Sequence, residues 1–241
     1  MIELSDFSIG YGSKRLLTNV GAMIPASGMT ALLGRNGSGK STLLRAIAGL
    51  NADYSGEIKI AGVDLRKITP HDRAKKIAFV STHRPRISNM KCCDVVAIGR
   101  APYTNWMGRM QPQDEQVVYA VLEAVGMGSF ADVSIDKMSD GECQRVMIAR
   151  ALAQETPVIL LDEPTSFLDI PNRYELCRLL HNLAEKHNKC VLFSTHELDI
   201  AKSICDNIML IDTPLLHNMP TNAMIASGHI DRVFNISDVK R

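Results

Sequence analysis

The sequence predicts an α/β fold, and three observations carry the prediction. Short buried strands alternate with helical stretches along the chain. One strand runs through a glycine-rich turn straight into a helix. A mainly helical stretch, 83–154, lies between two strand-rich parts, 1–82 and 155–241. The chain has 241 residues, room for one large domain or two small ones. Apolar residues make up 46%, enough for a sizeable core. A net charge of +1 gives no sign of a surface built to coat nucleic acid. The six cysteines, at 92, 93, 143, 177, 190 and 205, include no C-x-x-C pair and no zinc spacing. Reduced, mostly buried thiols in a cytosolic protein are expected. The N-terminus, Met1 to Asp6, lacks the basic-then-apolar layout of a signal peptide. No apolar run approaches the roughly eighteen residues that a bilayer span needs. Any role at a membrane is then expected to come through a partner.

Ile2, Leu4 and Ile9 alternate as an antiparallel strand interrupted by Phe7, and Tyr11-Gly12 turns the chain. Leu16 to Ile24 reads as a second strand, punctuated by Pro25 and Gly28. Met29 to Leu33 is a short buried strand leading into Gly34-Arg35-Asn36-Gly37-Ser38-Gly39-Lys40-Ser41-Thr42. This stretch has the spacing G-x-x-x-x-G-K-[ST], and Leu43, Leu44, Ile47 and Ala48 continue it with helical periodicity. Glycines bring the backbone close to an anion, and a helix start adds partial positive charge. Lys40 is expected to reach the β- and γ-phosphates of a nucleoside triphosphate and the Ser41 hydroxyl to bind Mg²⁺. Tyr11, upstream of the loop, is either a ring that stacks on the nucleobase or a half-buried turn tyrosine.

Ser55 to Gly62 reads as a strand and turn, Pro70 to Lys76 as a short helix, and Ile77 to Val80 as a buried strand. The polar segment Ser81 to Asn89, with His83, Arg84, Pro85 and Arg86, has the look of a connecting loop. Asp94 to Arg100 and Gln113 to Gly126 read as helices, with an aromatic-bearing loop, Ala101 to Trp106, between them. Ser139-Asp140-Gly141-Glu142 has the serine and glutamate of a capping box ahead of a helix through Ala153. Taken alone it is a well-capped helix and nothing more. Val158 to Leu161 is a buried strand ending in Asp162-Glu163. In a phosphate-loop protein such a strand is expected beside the loop, with Asp162 on Mg²⁺ and Glu163 placed to take a proton from water. Pro171 to His187 is a helix, and Lys189 to Ser194 a buried strand ending at Thr195-His196, where His196 is either a γ-phosphate contact or structural. Asn207 to Ile211 is a last core strand, His217 to Asn222 a loop, and 227–241 a peripheral tail.

Taken in order, Tyr11, Gly34 to Thr42, Met138 to Glu142, Val158 to Pro164, Ser166 to Asp169 and His196 resemble the full motif set of ABC-type ATPase subunits. The resemblance covers nearly the whole chain. It implies a P-loop NTPase fold of ABC ATPase type, a RecA-like core with an antiparallel β subdomain and an inserted helical subdomain over 83–154. It implies ATP and Mg²⁺ as cofactors, Tyr11 stacked on adenine, Glu163 as catalytic base and Ser41 with Asp162 as the metal site. Ser139, Asp140, Gly141 and Glu142 are similar to the signature that meets the γ-phosphate held by a second subunit. Asp169 matches the loop coupling the two sites, and His196 the switch that senses the γ-phosphate. A head-to-tail homodimer sandwiching two ATP follows, because one chain does not close its own site.

Two departures from the family pattern stand out. Ser81-Thr82 occupies the place where the family usually carries a glutamine, and Thr82 is too short to reach as far. Asp140 replaces the first glycine of the signature and is expected to face solvent, where it helps the capped helix start. Gly99 to Thr104, with Trp106, and Ser194 to Ala201 are similar to importer subunits serving iron–siderophore, haem or cobalamin uptake in bacteria. That branch implies transmembrane permease partners, a substrate-binding protein acting indirectly, no nucleic acid, and a place at the cytoplasmic face of the membrane. The competing reading is a soluble ABC ATPase outside transport, for example in metal-cluster assembly. A small-molecule kinase is disfavoured by the signature and the Asp162-Glu163 pair.

Overall fold

The structure, a computed structural model, describes residues 1–12, 14–82, 88–104 and 108–235. The sequence expectations at His83, Arg84, Pro85, Arg86, Trp106 and the last six residues of the tail lie outside these. Strands β1 (Ile2–Tyr11), β2 (Lys14–Ile24), β4 (Tyr54–Ile60) and β5 (Val63–Asp64) form an antiparallel sheet in the order β2-β1-β4-β5. A second sheet has the order β10-β9-β3-β8-β7-β6. It comprises β3 (Gly28–Gly34), β6 (Ile77–Val80), β7 (Val158–Asp162), β8 (Cys190–Ser194), β9 (Asn207–Asp212) and β10 (Leu215–Pro220). All its pairings are parallel except β9 with β10.

A parallel sheet of this kind must be covered on both faces. Along β3, Met29, Ala31 and Leu33 point into one apolar cluster and Leu32 into the other, as a period of two requires. Leu32 meets Leu43, Leu44 and Ile47 of α1 (Lys40–Ile47), in the cluster shared with the antiparallel sheet. On the other face lie α5 (Asp140–Ala153), α6 (Ile170–Lys186) and α7 (Leu198–Ile204). Between β6 and β7 the described residues form helices and no strand: α3 (Cys92–Ala97), α4 (Pro112–Ala124) and α5, which pack on one another. Short helices α2 (Pro70–Ala74), α8 (Thr221–Ala226) and α9 (His229–Phe234) complete the chain. All six cysteines are free thiols, and burial pushes Cys190 up to about 11 and Cys177 up to about 12.

Four expectations are corrected. Phe7 does not interrupt β1: the register shifts between Leu4 and Phe7, and Asp6 sits at φ 49°. That bulge moves the inward face by one residue and buries Phe7 completely. The helix expected over 94–100 is α3 followed by a 3₁₀ turn, Ile98–Tyr103, which contains Pro102. The loop expected over 217–222 is β10 and the first residues of α8, since His217 pairs with Leu210 and Met219 with Ile208. As a half-buried edge strand, β10 lacks the clean alternation that announces a strand. Finally, the tail is not wholly peripheral: Ile230 and Val233 of α9 are buried in the core.

Candidate functional site

The carboxyl ends of β3, β8, β7 and β6 meet at one edge of the parallel sheet, the usual place for a ligand in an open α/β sheet. The loop after β3 wraps into α1 with Gly37 at φ 74° and Gly39 at φ 105°. Gly39 is required there twice over, because a Cβ would also sit 2.9 Å from Cδ1 of Leu16. Lys40 is buried, and its Nζ donates to the Gly34 carbonyl at 2.9 Å. Burial pushes the Lys40 pKa down, while the nearby Glu163 and Asp162 carboxylates pull it back up. The ammonium is therefore fixed to the Gly34 carbonyl, within electrostatic reach of Glu163 and Asp162. The Ser38 hydroxyl is buried without a hydrogen-bond partner. An orphaned donor inside a loop of converging backbone N–H groups fits a polyphosphate.

Around this loop is a cavity of about 500 Å³ lined by Tyr11, Asn36, Lys40, Ser41, Thr42 and Glu163, among others. Tyr11 stands at its rim, 58% exposed, and its hydroxyl accepts from Thr42 Oγ1 at 3.1 Å. That leaves the ring open to solvent and available for stacking. Lys14 and Leu16, which no sequence motif singled out, line the same cavity. Gly34, Arg35 and Ser38 do not; Gly34 ends β3, Arg35 points to solvent and the Ser38 hydroxyl lies against Gly34.

Asp162 is the hub of the acidic side. Its Oδ1 accepts from Ser41 Oγ at 3.0 Å and from Ser194 Oγ at 2.6 Å. Its backbone carbonyl accepts from Thr82 Oγ1 at 2.9 Å. Thr82 thus spends its hydroxyl on bracing the end of β7. A serine hydroxyl and a carboxylate oxygen 3.0 Å apart are hard oxygen donors of the kind Mg²⁺ takes together with phosphate and water. Among the described residues, no group of three or more His, Cys, Asp or Glu could hold a metal ion without such help. Glu163, next along, has a left-handed backbone with φ 50°. Its N–H donates to Ser194 Oγ at 2.9 Å, and its Oε2 accepts from Ser166 Oγ at 3.2 Å. The turn aims the side chain into the cavity beside Lys40.

The remaining candidates lie elsewhere. Ser139 caps α5 as expected: its Oγ and N–H both donate to Glu142 Oε2, at 2.7 and 2.8 Å, and its Oγ accepts from the Glu142 N–H. These bonds hold the Glu142 carboxyl below its usual range. Ser139 and Asp140 are exposed, and none of Ser139, Asp140, Gly141 and Glu142 lines the cavity. Asp169 caps α6 by accepting from the Asn172 N–H at 3.1 Å. His196 is exposed just past β8 and does not line the cavity.

The family model described as ABC transporter matches residues 17–166, more than half of the chain. The chain belongs to the ABC transporter family. The matched stretch of this cassette holds the phosphate loop, Ser139 to Glu142 and the Asp162-Glu163 pair, and leaves Tyr11, Asp169 and His196 outside. Among its relatives is an ABC transporter ATP-binding protein of Methanocaldococcus jannaschii, MJ0873, 38% identical over 93% of this chain and 78% of that protein. The iron(3+)-hydroxamate import ATP-binding protein FhuC of Bacillus subtilis is 32% identical over 83% of this chain and 74% of its own. Among solved structures, a dimeric post-hydrolysis state of the ATP-binding cassette MJ0796 bound to ADP and phosphate superposes with a TM-score of 0.79 at 26% identity. The match covers 92% of this chain and 99% of that one.

Proposed function

We propose that this cassette is the ATP-hydrolysing motor of a bacterial importer for iron–siderophore, haem or cobalamin. One observation carries the catalytic part. Lys40, Ser41 and Glu163 converge on one cavity with Asp162 bonded to Ser41, while the capped start of α5 opens to solvent away from it. A second copy, docked head to tail, would bring its own Ser139 to Glu142 turn onto the γ-phosphate seated here. The cassette MJ0796, dimeric with ADP and phosphate, supports that arrangement. Within each copy, 83–154 would act as the helical subdomain.

The loop N–H groups and Lys40 would bind the phosphates, and Tyr11 would stack on adenine. Mg²⁺, held by Ser41 and Asp162, would supply charge screening for the departing phosphates. Glu163 would orient water and take its proton as the oxygen attacks the γ-phosphorus. His196 would sense the γ-phosphate across the closed dimer. Thr82 and Asp169 would relay between the site and its neighbours. Among the described residues no helix is long and apolar enough to cross a membrane. The likeness to an import ATP-binding protein favours a place on the cytoplasmic face through permease subunits, served indirectly by a substrate-binding protein. The iron branch is supported by the likeness to an iron(3+)-hydroxamate import protein.

The test is Glu163→Gln. Loss of the base should lower ATP turnover by about 10²–10⁴-fold, with ATP affinity retained and a dimer visible by size exclusion in ATP. Turnover near the unmodified rate would remove Glu163 as the base. For the transport part, affinity capture from detergent-solubilised membranes should recover an integral membrane partner. Recovery from the soluble fraction alone would favour the non-transport reading.

A further inference from the structure

Ser194 opens the Ser194 to Ala201 stretch but is assigned no role of its own, yet it sits at the centre of the acidic half of the site. It ends β8, between the strand that leads into the phosphate loop and the strand that carries Asp162 and Glu163. In register it pairs with Leu32 on one side and Asp162 on the other. Its side chain is fully buried. A serine hydroxyl has one proton to give and lone pairs to accept with. Here the proton goes to Asp162 Oδ1 at 2.6 Å and a lone pair takes the Glu163 N–H at 2.9 Å. One atom therefore bonds both the carboxylate beside Ser41 and the backbone of the residue placed to activate water.

The second bond matters because of where Glu163 sits. At φ 50° its backbone is in the left-handed region, which a residue with a Cβ occupies only when neighbours hold it there. We propose that Ser194 is a positioning residue of the hydrolytic site. Its hydroxyl locks the Asp162 carboxylate and the Glu163 turn into a fixed spacing. A shift of the metal-binding carboxylate is thereby transmitted to the base, and Glu163 stays aimed into the cavity. Thr82 braces the same junction from the β6 side through the Asp162 carbonyl, so the end of β7 is held from both flanks. Ser194 touches neither the reacting atoms nor the nucleotide cavity and acts only through its two neighbours. The inference rests on Glu163 being the base.

The test compares Ser194→Ala, which deletes both bonds, with Ser194→Thr, which keeps the hydroxyl, in the full chain. The first measurement needs no turnover: amide hydrogen exchange of the 162–166 peptide in nucleotide-free protein. Ser194→Ala should exchange there about tenfold faster, and Ser194→Thr should stay near the parent rate. The second is Mn²⁺ binding, followed by electron paramagnetic resonance, with a non-hydrolysable ATP analogue. The alanine variant should bind the ion several-fold more weakly while its metal-free affinity for the analogue is unchanged. The third is steady-state kinetics, where kcat should fall about tenfold, with KM for ATP within about twofold, and threonine should restore it.

Unchanged exchange together with unchanged Mn²⁺ affinity in a folded Ser194→Ala protein overturns the proposal. So does faster exchange with kcat unaltered, because the bonds would then be structural only. Should Glu163→Gln turn over normally, the base assignment fails by itself. The exchange and Mn²⁺ measurements would still decide whether Ser194 holds Asp162 and the turn together.

Discussion

Tyr11 shows how much one residue's role depends on what its two ends touch. From spacing it is either a stacking ring or a turn tyrosine. In the structure its hydroxyl is engaged by Thr42 at 3.1 Å while the residue, 58% exposed, borders the cavity. A mostly exposed ring fixed at its hydroxyl end is suited to a planar base. Aromatic–base stacking is worth about 1–3 kcal/mol, so Tyr11→Ala should raise the Kd for ATP roughly 5- to 150-fold. Tyr11→Phe keeps the face and should stay within about twofold. Inorganic tripolyphosphate, which has no base, should bind the three proteins alike. Titration against a fluorescent ATP analogue and against tripolyphosphate checks this, and equal losses for both ligands would place Tyr11 in loop integrity instead.

At the scale of elements, one buried cation ties three parts of the helical segment together. Arg100, in the 3₁₀ turn after α3, donates from Nε to Asp114 Oδ1 at 2.9 Å. Its Nη1 donates to the Ala153 carbonyl at 2.7 Å and to Glu155 Oε2 at 2.6 Å. Its guanidinium also lies 4.3 Å from the Tyr103 ring centre. Asp114 in turn accepts the Gln111 N–H that starts α4 at 2.8 Å, and that bond with the Arg100 contact keeps its carboxyl low. The end of α3, the start of α4 and the end of α5 therefore share one side chain. Removing one partner of a buried pair costs about 3–5 kcal/mol, so Arg100→Ala should lower the unfolding free energy obtained from a urea titration by an amount of that order. Adding Asp114→Asn should recover part of the loss, because the stranded carboxylate is then neutral. Additive losses in the double variant would contradict the pairing. Elements of this segment were legible where the signal is local: α5 and its capping box follow from Ser139 and Glu142 alone. Arg100 was legible only as part of a run of letters, because its partners stand 14, 53 and 55 residues away. Likewise β10 was read as a loop, since an edge strand with polar His217 and Asn218 has no pattern until β9 is beside it.

Over the whole molecule, the same contrast separates the half of the site that could be read from the half that could not. The phosphate loop is contiguous, and its glycines and lysine announce themselves. Ser194 reaches Asp162 and Glu163 only because the sheet order inserts β8 between β3 and β7, a fact of topology that no local spacing encodes. The two sheets are likewise joined by distant contacts: the Asn218 side chain donates to the Met23 carbonyl at 2.8 Å, and the Thr18 N–H to the Pro214 carbonyl at 3.0 Å. The hairpin that makes these contacts carries a titratable cluster. The His217 and His229 rings stack at 4.0 Å, Asp212 accepts from Arg232 at 2.6 Å, and His217 Nε2 lies 3.3 Å from the same carboxylate oxygen. Burial, then the His217 and Arg232 charges, hold the His229 pKa below its ordinary 6.5. Asp212 is pushed up by burial but pulled further down by His217 and Arg232. For both groups the unfolded chain binds protons before the folded one, so stability falls as pH falls. The loss begins for His229 below about pH 6.5, and for Asp212 only in the carboxylate range near pH 4. The urea midpoint should therefore decline between about pH 7 and 5, and His229→Gln should flatten that part of the curve while leaving the drop near pH 4. A midpoint that rises on acidification through the histidine range would show that the stacked pair favours the charged form, with Asp212 outweighing the burial.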